Sequence, residues 1–153
     1  MKDILSTVLE YLPGFALRWI FSKRWLAQHT TFDIRPRDEP VTILCGELPY
    51  MHLTLSVTNR CYKEVELDRL TVEVTFPGLT QQLYYLRRTA IPRRKTVEVF
   101  LRGNLTSQQA AATAKQGESP ITVEVFAEFN SDIQDFAVNT VWPLTVKPKL
   151  ANM

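Results

Sequence analysis

The spacing of apolar residues changes along this chain from a helical period to a period of two, and the change falls between Gln28 and Phe32. Beyond that point apolar and polar residues alternate, most regularly from Met51 to Val57. Strict alternation is typical of β-strands with one buried face. We therefore predict two parts, an N-terminal helical anchor at residues 1–28 and a β-sandwich domain at residues 29–153.

The alternating part contains enough strand-like segments for two sheets. In one of them Asp68-Arg69 shifts the alternation by one residue, as a β-bulge does. One helical signal interrupts the strands, from Thr106 to Lys115 before Gly117, and Thr106 and Gln109 have the spacing of a capping box. The predicted fold is mainly β, an antiparallel immunoglobulin-like β-sandwich of seven to eight strands with an N-terminal amphipathic helical segment and one short crossover helix. The predicted strands lie at 32–34 and 41–44, interrupted by Arg35-Pro36-Arg37, and at 51–57, 65–76 before Pro77-Gly78, 81–88, 97–101, 121–129 and 136–146.

The helical segment consists of two pieces separated by Pro13-Gly14. Before the break, apolar residues at helical spacing from Ile4 to Leu12 form one stripe, which predicts an amphipathic helix. After the break, from Phe15 to Gln28, apolar residues surround most of the predicted helix. A helix that is apolar nearly all round must be buried in something.

Two environments could bury the second piece, and the sequence leaves both open. The longest charge-free run, from Tyr11 to Leu17, is far shorter than the about 20 residues that a spanning helix needs, and no small-residue cleavage site follows it. Tryptophan together with basic residues favours the membrane interface, where indole rings lie at headgroup depth. Alternatively, both helices pack on their own sandwich or on a partner protein. The residues predicted to make the attachment are Leu12, Phe15, Leu17, Arg18, Trp19, Ile20, Phe21, Lys23, Arg24 and Trp25.

Basic residues are concentrated in one short stretch, although the net charge of the whole chain is only +2. That net charge is too small to predict nucleic-acid binding. The stretch is predicted to form a hairpin tip around Ala90-Ile91-Pro92, which either contacts an anionic surface or is simply solvated. Its residues, the predicted anionic contact, are Arg87, Arg88, Arg93, Arg94 and Lys95.

The sequence carries no catalytic or metal-binding pattern. Its histidines, His29 and His52, belong to no H-E-x-x-H motif, and its cysteines, Cys45 and Cys61, to no C-x-x-C pair. A phosphate-binding glycine loop and a G-x-S-x-G elbow are also missing. We expect no enzyme activity, no metal and no cofactor, and the sequence leaves a disulfide between the two cysteines open.

Two stretches resemble a known family of β-sandwiches. From Tyr50 to Phe76 the string YMHLTLSVTNRCYKEVELDRLTVEVTF consists of an alternating strand, an asparagine, a polar turn and a second strand. It resembles the signature half of the LEA14/WHy-type (late-embryogenesis-abundant group 2) family, and the closing stretch ITVEVFAEFNSDIQDFAVNTVWPLTVK resembles that family's terminal hairpin. The resemblance covers residues 32–148. It implies a non-enzymatic binding or stabilising sandwich, often held behind an N-terminal membrane segment.

These patterns lead to two functional hypotheses. The first is a non-enzymatic accessory or scaffold protein, peripheral or monotopic, whose N-terminal helices attach it to a membrane interface or to an integral membrane-protein complex. The side of the membrane stays open. The alternative is a soluble carrier of a lipid or another small ligand, with a cavity between the sheets or beneath the helices. The aromatic residues that would line that cavity are Tyr84, Tyr85, Phe100, Phe126 and Phe136.

Overall fold

The computed structural model describes residues 2–34, 41–76, 79–116, 119–146 and 149–150. The predicted break at Arg35-Pro36-Arg37, the turn at Pro77-Gly78 and the helix end at Gly117 lie outside these residues. Three helices come first: α1 (Lys2–Glu10), α2 (Gly14–Ile20) and α3 (Lys23–Gln28). The strands are β1 (Thr30–Ile34), β2 (Val41–Cys45), β3 (Tyr50–Asn59), β4 (Val65–Phe76), β5 (Leu79–Tyr85), β6 (Thr89–Ile91), β7 (Thr96–Asn104), β8 (Ser119–Ser131), β9 (Phe136–Val146) and β10 (Lys149–Leu150), with helix α4 (Ser107–Gln116) between β7 and β8.

The strands form two sheets, which confirms the predicted mainly-β sandwich. In the first sheet β3 pairs with β7 along one edge and with β1 and β2 along the other. In the second, β4 pairs with β5 and β6 on one side and with β8 on the other, and β9 lies outside β8. All of these pairs are antiparallel, and the two-residue strand β10 pairs parallel with β2. More strands are present than the predicted seven to eight. Two of them, β6 and β10, were not predicted because they are only three and two residues long.

Two local predictions are confirmed. The register of β4 against β8 shifts between Leu67 and Arg69, so that Asp68 is the extra residue of a bulge. At the start of α4, the side chain of Gln109 accepts a hydrogen bond from the N–H of Thr106 (2.9 Å), and the hydroxyl of Thr106 accepts one from the N–H of Gln109 (3.1 Å). This reciprocal pair is a capping box, and α4 carries the chain from the first sheet to the second.

The second helical piece is divided, which corrects the prediction of one helix from Phe15 to Gln28. Helix α2 ends at Ile20, and α3 begins after Ser22, whose hydroxyl accepts a hydrogen bond from the N–H of Trp25 (3.2 Å). A serine in this position is a favoured N-cap because it satisfies one of the unpaired N–H groups of the first turn. The break turns the chain, so that α3 can pack between the sheet-edge strands β1 and β9.

The core of the sandwich includes side chains from the helices. Leu26 on α3 is 0% exposed, and Leu17 and Phe21 are each 8% exposed within the same apolar cluster as the inward-facing residues of both sheets. Burying side chains of this size stabilises the fold by about 1.5–3 kcal/mol each. The division into an anchor at 1–28 and a separate domain at 29–153 stays a prediction. It can be tested at the buried contacts of α2 and α3, because these contacts join the two parts.

Tyr62, in the connection from β3 to β4, lies beneath the helices. Its ring packs against that of Phe21 with 4.8 Å between centroids. Among the described residues no group hydrogen bonds to its buried hydroxyl. Burial raises the pKa of Tyr62 above its usual value, and the carboxylates of Asp132 and Glu10 raise it further. Because it is buried without a hydrogen-bond partner, the hydroxyl slightly destabilises the contact between the helices and the sandwich.

We expect Leu26→Ala to lower the free energy of unfolding by about 2–5 kcal/mol, because the truncation leaves a cavity where α3 meets the core. The control is Val8→Ala, which removes a side chain that is 55% exposed, and its effect should stay within about 0.5 kcal/mol. Urea unfolding measures both. A loss below about 1 kcal/mol for Leu26→Ala would show that the sandwich closes without α3.

We expect Tyr62→Phe to raise the free energy of unfolding by about 1 kcal/mol, because it removes a buried hydroxyl that has no partner. The raised pKa adds a pH dependence. The folded protein holds the phenolic proton more tightly than the unfolded chain, so this contribution to stability is complete below about pH 10 and is lost as the pH rises above it. Urea unfolding at pH 8 and pH 10.5 should show a steeper loss for the wild type than for the variant. Equal losses would contradict the assignment.

Candidate attachment surface

Helix α2 has an inner and an outer face. Leu17 and Phe21, four residues apart, point into the core. Phe15 and Trp19, also four residues apart, are 78% and 85% exposed. Residues at this spacing share one side of a helix, and a shift of two residues leads to the opposite side. The outer face of α2 therefore presents two large aromatic side chains to solvent.

Helix α1 repeats this arrangement. Leu9 is half-buried and packs against the core cluster, whereas Ile4 and Val8, four residues apart, are 68% and 55% exposed. The exposed set then continues through Tyr11, which is 84% exposed, towards α2. Monomeric soluble proteins rarely expose so many large apolar side chains within one segment unless that segment binds something. We call the exposed residues the outer helical surface; they are Ile4, Val8, Tyr11, Phe15, Trp19 and Ile20.

Hydrogen bonds hold α2 over one end of the sandwich. The Arg18 Nε donates to the carbonyl of Ile133 (3.2 Å). The Gln134 Nε2 donates to the carbonyl of Phe21 (2.8 Å) and more distantly to that of Arg18 (3.4 Å). Ile133 and Gln134 lie in the connection from β8 to β9, and Tyr62, which packs on Phe21, lies in the connection from β3 to β4. We call this end of the molecule the helical end.

The predicted attachment residues therefore separate into two groups. Phe15, Trp19 and Ile20 are exposed, as are the cations Arg18, Lys23 and Arg24. Leu17 and Phe21 lie in the core, so they are not available to a membrane or a partner. Leu12 and Trp25 are half-buried. The Trp25 ring stacks on the His29 ring with 3.8 Å between centroids, and it packs edge to face with the Phe21 ring with 4.6 Å between centroids. Packing on the sandwich, one of the two environments considered from the sequence, is thus found for one face of these helices, whereas the opposite face is exposed.

The prediction of a basic hairpin tip around residues 90–92 is wrong. Residues 89–91 form the strand β6, which pairs with Val65–Leu67 of β4, and Ile91 is 0% exposed. An inward-facing isoleucine anchors this short strand to the core, so the chain there cannot project as a tip. The five basic residues are divided as a result. Arg87 and Arg88 precede β6, where the Arg88 Nε is 2.9 Å from the Asp68 carboxylate, and Arg93, Arg94 and Lys95 form the turn after it.

Asn59 fixes that basic turn at the helical end. It is fully buried, its N–H donates to the carbonyl of Lys95 (3.0 Å), and its amide donates to the carbonyls of Ile91 (3.0 Å) and Lys63 (2.8 Å). Its side-chain oxygen accepts a hydrogen bond from the N–H of Cys61 (2.8 Å). One side chain thus ties the turn before β7 to the turn that carries Tyr62. In the sequence, Asn59 is the asparagine between the alternating strand and the polar turn, and nothing in the local spacing indicates these long-range partners.

The cysteines and histidines do not converge on a reactive centre. Cys45 and Cys61 are not bonded to each other, which settles the open disulfide question. Burial raises the pKa of both thiols, and this disfavours the reactive thiolate. His29 donates from Nδ1 to the carbonyl of Trp25 (2.8 Å), and His52 lies on the outer face of β3 beside Phe100. Within the described part of the chain, no group of three or more His, Cys, Asp or Glu side chains could hold a metal ion.

The aromatic residues proposed to line a carrier cavity point in different directions. Tyr84, Phe100 and Phe126 are 60%, 56% and 44% exposed on the outer faces of the sheets. Phe136 is buried and stacks on Phe129 within the core. Grooves of 670 and 410 Å³ do occur, the first beside Phe76 and Pro143 and the second between α3 and β9, but none of the five residues lines either one.

No known protein-family profile matches this chain, and no curated protein sequence does. Among the described residues, no helix is sufficiently long and apolar to cross a membrane.

Several solved structures have a similar fold. The X-ray structure of the structural genomics target SoR45 is 11% identical, with a TM-score of 0.56 over 80% of this chain and 89% of that one. A protein from Archaeoglobus fulgidus is 12% identical, with a TM-score of 0.51 over 78% of this chain and 100% of that one. A candidate late embryogenesis abundant (LEA) protein, solved in solution, is 11% identical, with a TM-score of 0.41 over 95% and 86% of the two chains. At these identities the first two likenesses establish the β-sandwich fold and nothing further.

Proposed function

We propose that this protein is a non-enzymatic accessory or scaffold protein that attaches peripherally to a membrane interface through its N-terminal helices. The observation that supports this most directly is the exposure of Phe15 and Trp19 on a helix whose opposite face is buried in the core. The core does not need these two side chains. Their place on the outer face is readily understood if something else covers them.

The chemistry of this face suits a bilayer interface. Trp19 supplies an indole, which is favoured at headgroup depth, and Lys23 and Arg24 follow as exposed cations that can reach lipid phosphates. Burying two large aromatic side chains contributes about 3–6 kcal/mol before the cost of association is subtracted. Reversible, peripheral attachment is expected from a contribution of that size. Helices of nine and seven residues also favour lying in the interface over spanning, which needs about 20 residues.

A docking site on an integral membrane-protein complex would use the same outer helical surface. Lipid vesicles distinguish the two, because a site built for protein alone should ignore them. The carrier hypothesis has less support, because the aromatic residues on which it depended lie on outer faces or in the core. In this proposal the sandwich positions the helices and presents its own surface to the aqueous side.

The test is vesicle flotation of the double variant Phe15→Ser/Trp19→Ser. We expect wild-type protein to float with vesicles that contain phosphatidylcholine and phosphatidylglycerol, and the variant to lose at least about tenfold in affinity, because its apolar contact is gone. Thermal unfolding should be nearly unchanged, because neither side chain contributes to the core.

The matched control is Tyr84→Ser/Phe100→Ser. These aromatic side chains are 60% and 56% exposed, but on the sheet faces. They should leave flotation unchanged. If both double variants lose binding equally, the attachment is non-specific hydrophobic adsorption; if wild-type protein stays in the aqueous phase, the membrane proposal is wrong and a protein partner takes its place.

A further inference from the structure

The helical end has an uneven distribution of charge. Five exposed or half-buried cations lie in two of its turns, whereas the chain as a whole has nearly equal numbers of the two signs, 18 basic and 16 acidic residues. Arg60 and Lys63 belong to the turn between β3 and β4, which also carries the exposed Glu64. Arg93, Arg94 and Lys95 belong to the turn between β6 and β7, which carries no acidic residue. Only the second group was predicted from the sequence as a contact.

The two turns form one rigid unit with the helices. Asn59 bonds to the carbonyls of Lys63, Ile91 and Lys95, so the turns are held side by side. The first turn is joined to the helices in two ways: the N–H of Arg60 donates to the carbonyl of His29 (2.8 Å), and the Tyr62 ring packs against Phe21. The backbone of the two turns therefore has a fixed position relative to the helices.

The remaining turn of this end has the opposite sign. Asp132 and Asp135, both exposed, lie in the connection from β8 to β9. The helical end is thus most basic at the β6–β7 turn, mixed at the β3–β4 turn, and acidic at the β8–β9 turn, which hydrogen bonds to α2. An anionic surface that approaches α2 is attracted on one side and repelled on the other.

We infer that the docking surface prefers an anionic bilayer to a neutral one, and that the bilayer contacts the outer face of α2 together with the turns that carry Arg60, Lys63 and Arg93–Lys95. This inference rests on the proposed membrane attachment and adds the lipid class and the orientation. In this orientation the bilayer approaches from the side of the basic turns, and the exposed Asp132 and Asp135 of the β8–β9 turn oppose contact on the other side. Arg87 and Arg88, which precede β6, take no part, and Arg88 is already paired with Asp68.

The experiment compares two triple charge reversals that change the net charge equally. Arg60→Glu/Arg93→Glu/Lys95→Glu reverses three of the five cations in the two turns; it leaves Lys63, and it spares Arg94, whose backbone has a φ of 56°. Arg69→Glu/Arg87→Glu/Lys115→Glu is the matched control at exposed positions elsewhere. Flotation is measured with pure phosphatidylcholine vesicles and with vesicles that also contain phosphatidylglycerol, at low and high salt.

We expect the first variant to lose about 100-fold in affinity for the anionic vesicles at low salt, because each basic residue near such a surface strengthens binding about fivefold. The control should lose less than about tenfold, because its charges lie outside the proposed contact surface and their attraction to the bilayer weakens with distance. At high salt the wild type and the two triple variants should have similar affinities for the anionic vesicles, because the charges are screened. Binding to pure phosphatidylcholine should be unchanged in both variants, because it depends on Phe15 and Trp19.

Two results would overturn the inference while the attachment stands. One is equal binding of wild-type protein to neutral and anionic vesicles, and the other is an equal loss for the two triple variants. If wild-type protein binds neither kind of vesicle, both the inference and the proposed membrane attachment fail.

Discussion

The burial of Leu17, Phe21 and Leu26 against the sandwich is the contact on which the other features depend. These side chains turn a segment that is apolar on nearly all sides into one with a defined inner face. Once that face is in place, helical geometry forces Phe15 and Trp19 outwards. The proposed attachment surface is therefore a consequence of core packing, and a change that loosened the core contact would also displace that surface.

The helices make this contact at the end of the sandwich where several strands begin or end. The antiparallel register places the end of β3, the start of β7 and the end of β8 at the same level, and the helices cover that level. Asn59 then links the turns across the two sheets through its backbone and side chain. A buried polar group whose hydrogen bonds are all made is stabilising and specifies one arrangement. Here that arrangement puts the basic turns at the same end of the sandwich as the helices.

Much of the fold could be predicted from the sequence, because it depends on local patterns. Alternation located the long strands, the phase shift at Asp68 located the bulge, and Thr106 with Gln109 located the start of α4. The strand β6 was missed because three residues ending before Pro92 are too few to show a period. The inner and outer faces of α2 could not be separated, because its apolar residues mark no single side and only the partner surface decides.

The candidate site was predictable in its parts and not in its assembly. Tryptophan and basic residues at 18–25 indicated an attachment segment, and the cations at 93–95 indicated a second contact. Their meeting at one end depends on sheet register and on the long-range hydrogen bonds of Asn59, neither of which leaves a trace in local spacing. Arg60 and Lys63 were missed for the same reason, since only the folded chain brings them beside the helices.

The environment of the Trp19 indole tests membrane attachment most directly. In the variant Trp25→Phe/Trp142→Phe, Trp19 is the one remaining tryptophan among the three of the chain. Because Trp19 is 85% exposed, its fluorescence should be that of a hydrated indole without lipid. On addition of anionic vesicles the emission should shift to the blue, and lipids brominated near the headgroup should quench it more than lipids brominated near the chain ends. An emission that stays unshifted and unquenched while the protein floats with the vesicles would contradict attachment through the outer face of α2.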